Sequence, residues 1–124
     1  MREIKYRAWD LKENKMIYGT ALIENDGKWF MQIGKYIDVW HEVDFVTQYT
    51  GLKDINGEEI YESDILITKD IEGKKYQTCV TYENGMFLSG EEPLYDDVFL
   101  FEAEVVGNIY ENPELLDDEN KRNQ

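Results

Sequence analysis

Carboxylates are the side chains of this sequence best suited to catalysis or metal binding. Five of them fall between residues 54 and 64. Such groups hold Mg²⁺ or Ca²⁺ in some proteins and act as general acid and base in others. The spacing differs from an EF-hand loop, because Lys53 and Ile55 flank the first acid. In the structural alternative, Asn56-Gly57 forms a turn with Asp54, and Asp64 holds a strand entrance by accepting backbone amides. We take this alternative, which predicts no catalytic residue and no metal ligand. The acids are Asp54, Glu58, Glu59, Glu62 and Asp64.

Nitrogen and sulfur ligands are scarce, since His41 is the only histidine and Cys79 the only cysteine. A zinc site needs a cluster of such ligands. A lone cysteine in a strand is more often a small buried apolar residue than a nucleophile. The sequence also lacks the GxSxG, P-loop and GxGxxG signatures of acyl transfer and nucleotide binding. It therefore predicts a protein that is not an enzyme and uses no cofactor or metal.

Negative charge is concentrated in the C-terminal half of the chain. The net charge is -14, and residues 76–120 contain twelve acids and no lysine or arginine. Such a field repels nucleic-acid phosphates and attracts basic surfaces, so we expect no direct nucleic-acid binding and a basic partner protein. The alternative is that the acids only maintain solubility. The candidate acidic interaction surface comprises Glu91, Glu92, Asp96, Asp97, Glu102 and Glu104.

Aromatic residues are abundant in the N-terminal third, and a thin sheet of strands cannot bury them alone. Either this region folds over the rest of the chain, or its rings contact another subunit, as aromatic anchors at interfaces do. We favour the second alternative, which predicts a homo-oligomer. The candidate interface residues are Tyr6, Trp9, Trp29 and Trp40.

Short segments of alternating polarity must position all of these residues. They predict strands over 4–9, 16–23 and 29–33, which would form a three-stranded meander, and a hairpin over 76–89 that turns at Asn84-Gly85. The fold class predicted is all-β, a small barrel-like fold with an N-terminal β-meander and a short C-terminal helical turn.

Other segments complete this prediction. Residues 34–42 follow no single period and are expected to be a loop or a short helical turn, while 98–101 and 104–110 are expected to be closing strands. Asn112 is expected to cap the helical turn. Residues 1–120 are predicted to form one domain. Its parts are the meander 1–42, the barrel-like core 43–112, and the short helix with a frayed tail 113–124.

The sequence contains no apolar run near the roughly 20 residues needed to cross a bilayer. Its N-terminus, MREIKYRAWD, is charged and lacks the apolar core of a signal peptide. These features predict a cytoplasmic protein that does not associate with a membrane.

Three blocks carry a family resemblance: REIKYRAWD with KMIY near the start, QYTGLKDINGEEIYESDIL in the centre, and EVVGNIYENPELL near the end. In this order they resemble the YopX family of phage and prophage proteins. The resemblance implies an accessory protein and no particular reaction. Ser63 stands where the family pattern has glycine, which weakens any requirement for a positive φ there. The central segment is marked by Tyr49, Gly51, Asp54, Gly57, Tyr61 and Asp64.

The leading functional hypothesis is a non-enzymatic phage or prophage accessory protein that acts as an oligomeric binding or assembly module, with a basic host or phage protein as a partner. A second hypothesis is an acidic mimic of nucleic acid that inhibits a host defence or repair protein. A third is a carboxylate-dependent hydrolase or small-molecule binder centred on residues 54–64, for which a pocket lined by Tyr61, Glu62 and Asp64 would be expected.

Overall fold

The computed structural model describes residues 3–32 and 40–117. The chain divides into two compact units, unit 1 at residues 1–49 and unit 2 at residues 50–124. Most described residues lie in β-strands, so the predicted all-β, barrel-like class is confirmed. That residues 1–120 act as one domain stays a prediction.

The strand pairings given by the described residues of unit 1 are antiparallel. Its strands are β1 (Tyr6–Asp10), β2 (Lys15–Gly19), β3 (Leu22–Asn25), β4 (Lys28–Gln32), β5 (Trp40–Val43) and β6 (Val46–Lys53), the last of which continues into unit 2. Strand β1 lies between β2 and β6, and β4 lies between β3 and β5. Apolar side chains from both groups form one core of Ala8, Ile17, Met31 and Val43.

The N-terminal strands differ from the predicted meander in detail. The apolar run over 16–23 is two strands, because the chain bends at Thr20, and β2 and β3 then enter different sheets. Residues 40–42, expected to be loop or helical turn, belong to strand β5 through their pairing with β4. The rest of that prediction, over 34–39, lies outside the described residues.

Unit 2 is built on a sheet with the strand order β11-β10-β9-β8-β12, and β7 lies beside β6. Its elements are β7 (Glu59–Tyr61), β8 (Asp64–Lys69), β9 (Lys75–Glu83), β10 (Met86–Ser89), β11 (Glu92–Pro93), helix α1 (Leu94–Leu100), β12 (Glu102–Asn108) and a 3₁₀ helix (Pro113–Asp117). The predicted hairpin is confirmed as β9 and β10, and its turn has φ of 53° at Asn84 and 80° at Gly85.

Helix α1 replaces the closing strand predicted over 98–101. Pro93 precedes the helix, and Asp96 and Asp97 lie in its first turn, where negative charge complements the helix dipole. Leu94 and Val98, four residues apart, lie on one face and pack against the core of unit 2. The run Val-Phe-Leu-Phe has the composition of a strand, but this spacing of apolar contacts is helical.

The end of the described chain contains the predicted helical turn as the 3₁₀ helix. The expected side-chain cap is wrong, because Asn112 Oδ1 accepts the amide of Asn108 instead. The prediction of a frayed tail lies outside the described residues. Ser63 adopts a φ of 78°, so the positive φ is present although the side chain is not glycine.

Two turns of unit 2 have the same construction, at Asp54-Ile-Asn-Gly57-Glu and at Asp70-Ile-Glu-Gly73-Lys. In each, Oδ1 of the aspartate accepts the amides two and four residues later, at 2.8–2.9 Å. The glycine amide donates to the aspartate carbonyl, at 3.0 Å in both turns. Gly57 and Gly73 have φ of 82° and 86°, a conformation that other residues adopt at a cost.

The first turn is also attached to strand β12. Asp54 Oδ2 accepts the amide of Val105 at 2.9 Å, and the amide of Ile55 donates to the carbonyl of Ala103 at 2.9 Å. Asp54 is buried, with 7% of its surface exposed. The role predicted for Asp54, a turn-forming acid, therefore extends to holding a distant strand.

Asp54→Ala is expected to lower the free energy of unfolding by about 1.5–3 kcal/mol more than Asp70→Ala, because only the first change leaves the Val105 amide without its charged acceptor. Asp70→Ala is the matched control, since it removes the same two turn bonds and otherwise only the long bond from Tyr76 Oη to Asp70 Oδ2, at 3.4 Å. Urea unfolding of both variants measures the difference. Equal losses in the two variants would show that the bond to β12 contributes nothing.

Candidate functional site

A cleft in unit 2 lies where α1 meets the β8–β9–β10 part of the sheet. Its volume is about 360 Å³, within the range of small-molecule sites. Strands β8, β9 and β10, the turns that follow β8 and β10, and α1 all contribute to it. We name it the acidic cleft. It is lined by Thr68, Asp70, Tyr76, Gln77, Thr78, Ser89, Gly90, Glu91, Glu92, Asp97 and Phe101.

Asp97 is the most deeply placed acid of the cleft, with 4% of its surface exposed. The side chain of Ser89 lies beside its carboxyl group, and Ser89 Oγ lies 2.6 Å from Thr78 Oγ1, in a bond whose donor is either hydroxyl. These three polar side chains come from α1, β10 and β9.

Burial raises the pKa of the Asp97 carboxyl above its usual value. The hydrogen bond from Ser89 lowers the pKa, and the negative charges of Glu92 and Asp96 raise it again. The net direction is upward. A buried acid with a raised pKa in a concave site is typical of functional sites.

The outward side of α1 exposes large apolar side chains, and we call these the α1 face. Tyr95, Phe99 and Leu100 are 60%, 62% and 66% exposed. The rings of Tyr95 and Phe99 stack across one helical turn, with 4.3 Å between their centroids. A hollow beside Leu100 is lined in part by Ile71, which is 90% exposed, and by Glu102. Unit 2 therefore presents clustered apolar side chains next to acids.

The acids of the predicted interaction surface fall into two groups. Glu91, Glu92, Glu102 and Glu104 are exposed and Asp96 is half-buried, whereas Asp97 points away from solvent. Glu102 Oε2 lies 3.9 Å from Lys69 Nζ, and Glu104 Oε1 lies 3.4 Å from Asn56 Nδ2. The structure brings Glu91, Glu92 and Asp97 together at the acidic cleft.

The four aromatic residues predicted at an interface are not gathered in one patch. Trp9 is 8% exposed, and Tyr6 packs against the core of unit 1. Trp29 and Trp40 are 44% and 37% exposed. Trp29 pairs with Val43 and Trp40 with Gln32, so the two indoles lie on opposite faces of the β4–β5 pair. A role for these rings in self-association stays a prediction.

The central segment is largely buried and bonded to backbone. Tyr49 and Tyr61 are each 5% exposed and Asp64 is 1% exposed. Asp64 Oδ2 accepts the amide of Tyr61 at 2.7 Å, as the structural interpretation predicts. Gly51 is exposed in β6, with a φ of 87°. None of Tyr61, Glu62 and Asp64 lines the acidic cleft.

His41 is engaged within unit 1, where its Nε2 lies 2.7 Å from Asp10 Oδ2. Asp10 Oδ1 accepts the amides of Lys12 and Glu13. The bond to His41 lowers the pKa of the Asp10 carboxyl, and burial opposes this shift. The pair joins the turn after β1 to strand β5.

Across residues 3–32 and 40–117, no three or more histidine, cysteine, aspartate or glutamate side chains are grouped so as to hold a metal ion. Within the same described ranges, no helix is both long and apolar enough to cross a membrane.

Sequence reasoning missed the acidic cleft and the α1 face. The residues of the cleft come from positions 68 to 101, and their proximity depends on strand pairing that no local pattern encodes. A signal for α1 was present, because Pro93 is followed by two acids and by apolar residues at positions 94 and 98.

A known protein family and a solved structure are similar to this chain. The model of the YopX protein family matches residues 5–117, and the chain belongs to this family. The crystal structure of protein EF1440 from Enterococcus faecalis is similar, with 29% sequence identity and a TM-score of 0.62 over 94% of this chain and 99% of that one. No curated protein has a significantly similar sequence.

Asp97→Asn is expected to stabilise the protein at neutral pH. A carboxyl whose folded pKa is raised destabilises the fold when it is ionised, and this cost disappears as the pH falls from the folded pKa to the unfolded value of about 3.9. Urea midpoints measured from neutral to acidic pH should show a gain that shrinks with falling pH. Asp96→Asn, on the same helix, is the control for charge at the helix start. A gain that is independent of pH, or a loss at neutral pH, would contradict this account of Asp97.

Proposed function

We propose that this YopX-family protein is a non-enzymatic binding module whose α1 face docks on a basic, partly apolar surface of another protein. The observation that carries the proposal is the exposure of Tyr95, Phe99 and Leu100, each at 60% or more, on one short helix. Clustered exposed aromatic residues are characteristic of protein interfaces, in which a few such side chains supply most of the binding energy.

The acids around α1 support a partner with a basic surface. Glu91 and Glu92 precede α1, and Glu102 follows it. Residues 76–120 contain no lysine or arginine, so the acids beside α1 face basic side chains only from outside this stretch, as Glu102 faces Lys69 at 3.9 Å. A complementary partner carries lysine or arginine around an apolar centre, and association is faster at low salt.

The proposal of a non-enzymatic protein is supported by the hydrogen bonds of the acids in the central segment. Asp54 accepts three backbone amides, and Asp64 accepts the amide of Tyr61. A carboxylate committed to buried amides is poorly placed to exchange protons with a substrate, since these bonds would be lost. Two of the five acids of the third hypothesis, Asp54 and Asp64, are thus occupied by structural bonds.

We retain self-association through the N-terminal aromatic residues as part of the proposal, and the exposure of Trp29 and Trp40 favours it. In this arrangement unit 1 forms the oligomer and the α1 face remains free for the partner. For a protein encoded by a phage or prophage, that partner is a host or phage protein.

Mimicry of nucleic acid is a second candidate, favoured by Glu102 and Glu104. These exposed acids alternate with the buried Ala103 on β12, so they lie on one face of the strand. Asp97 does not belong to such a surface because it is buried. Mimicry requires charge alone, whereas docking on the α1 face also requires the aromatic rings.

Site-specific photo-crosslinking at position 99 identifies the partner, and the affinity of the purified partner then tests the proposal. We expect Tyr95→Ser and Phe99→Ser each to weaken binding about tenfold or more, as for central aromatic residues of interfaces. Both side chains are exposed, so stability should change by less than about 0.5 kcal/mol.

Ile23→Ser is the matched control, because Ile23 is an apolar residue of unit 1 that is 45% exposed. It should leave the affinity unchanged. Added salt should weaken binding through screening of the acids. Affinity that is lost on reversal of Glu102 and Glu104 but unaffected by Tyr95→Ser and Phe99→Ser would favour mimicry and refute docking on the α1 face.

A further inference from the structure

The acidic cleft has the dimensions of a ligand site and a lining of one charge. Its volume is about 360 Å³, and its described lining includes four acids and no lysine or arginine. The acids are Asp70, Glu91, Glu92 and Asp97. A cavity with convergent polar groups is a candidate binding site, and the sign of its charge selects the ligand.

The four acids are not equivalent. Asp70 Oδ1 accepts the amides of Glu72 and Lys74 in its turn, and Asp70 Oδ2 accepts the hydroxyl of Tyr76 at 3.4 Å. Glu91 and Glu92 are exposed at the rim, and Asp97 is 4% exposed. A cationic head that reaches Asp97 therefore encounters the rim acids first and a buried carboxylate last.

Because Asp97 is buried, its carboxylate gains more stabilisation from a bound cation than an exposed carboxylate would. Its pKa is raised because the charged form has lost water. A cation beside the carboxylate restores the missing stabilisation, so binding favours the ionised form and releases a proton when Asp97 was protonated. A neutral or anionic ligand offers no such gain.

The remaining walls fit the stem of an organic cation better than a bare metal ion. Tyr76 and Phe101 line the cleft, and aromatic rings accommodate both alkyl groups and cations. Thr78 and Ser89 contribute hydroxyl groups to the lining that also contains Asp97. The side-chain Nε2 of Gln77 donates to the carbonyl of Leu115 at 2.7 Å, which fixes the position of this wall of the cleft.

We propose that the acidic cleft binds a small organic cation, an alkyl amine or an alkyl guanidinium, with its charged head at Asp97 and Glu92 and its stem against Tyr76 and Phe101. The ligand is either a free small molecule or the side chain of a lysine or arginine of a protein. The site uses the inward side of α1 and is independent of the docking proposed for the outward α1 face.

Isothermal titration with butylguanidinium and butylamine, and with butanol as a neutral control, tests the proposal on the full-length protein. Both cations should bind and butanol should not. Asp97→Asn should weaken cation binding about tenfold or more, as expected for loss of a charge-assisted hydrogen bond. Glu83→Gln, which removes one exposed charge outside the cleft, is the matched control and should leave the affinity unchanged.

Glu92→Gln is a second variant at an exposed position, where folding is not at risk, and it should weaken binding several-fold. Titration near the pKa of Asp97 in buffers of different ionisation enthalpy should show release of protons on binding. An acetylated Gly-Arg-Gly peptide distinguishes the sources: its binding indicates a protein side chain, and its failure beside bound butylguanidinium indicates a free small molecule. The proposal is refuted if neither cation binds, if butanol binds equally well, or if Asp97→Asn and Glu92→Gln bind as the wild type does.

Discussion

The buried carboxylate of Asp54 is the interaction on which the arrangement of unit 2 depends. A buried charge destabilises a fold unless it is fully hydrogen-bonded. Asp54 meets this requirement with the amides of Asn56, Glu58 and Val105. Two of these bonds shape a turn, and the third joins that turn to β12, fifty-one residues later in the chain. Helix α1 immediately precedes β12, so a bond that fixes this strand also fixes the direction in which the helix ends.

The helix in turn separates two kinds of surface. Leu94 and Val98 pack on the core, and Asp97 lines the acidic cleft. Tyr95 and Phe99 lie on the opposite side in solvent. A stretch that carries twelve acids therefore does not form a uniform negative surface. Asp97 lies buried in the acidic cleft, whereas other acids lie near the exposed rings of the α1 face. The first arrangement suits recognition of a ligand, and the second suits recognition of a protein surface.

The parts of the fold that depend on neighbouring residues could be predicted from the sequence. The β9–β10 hairpin follows from Asn84-Gly85, and the turn at Asp54 follows from Asn56-Gly57 with the aspartate before it. The equivalent turn at Asp70 was missed because Glu72-Gly73 is a weaker turn signal than Asn-Gly. The division of the first strands between two sheets was also missed, since pairing partners such as Trp29 and Val43 are distant in sequence. The acidic cleft could not be predicted for the same reason, whereas α1 was obscured by apolar residues that resemble a strand.

In the proposed function, the α1 face stays free for a partner that is not another copy of the chain. Hydroxyl-radical footprinting of the purified protein over a wide range of protein concentrations measures whether it does. Tyr95 and Phe99 should be oxidised at the same rate at every concentration, while self-association protects Trp29 or Trp40. Protection of Tyr95 and Phe99 that increases with concentration would show that the α1 face joins identical subunits and would refute the proposal.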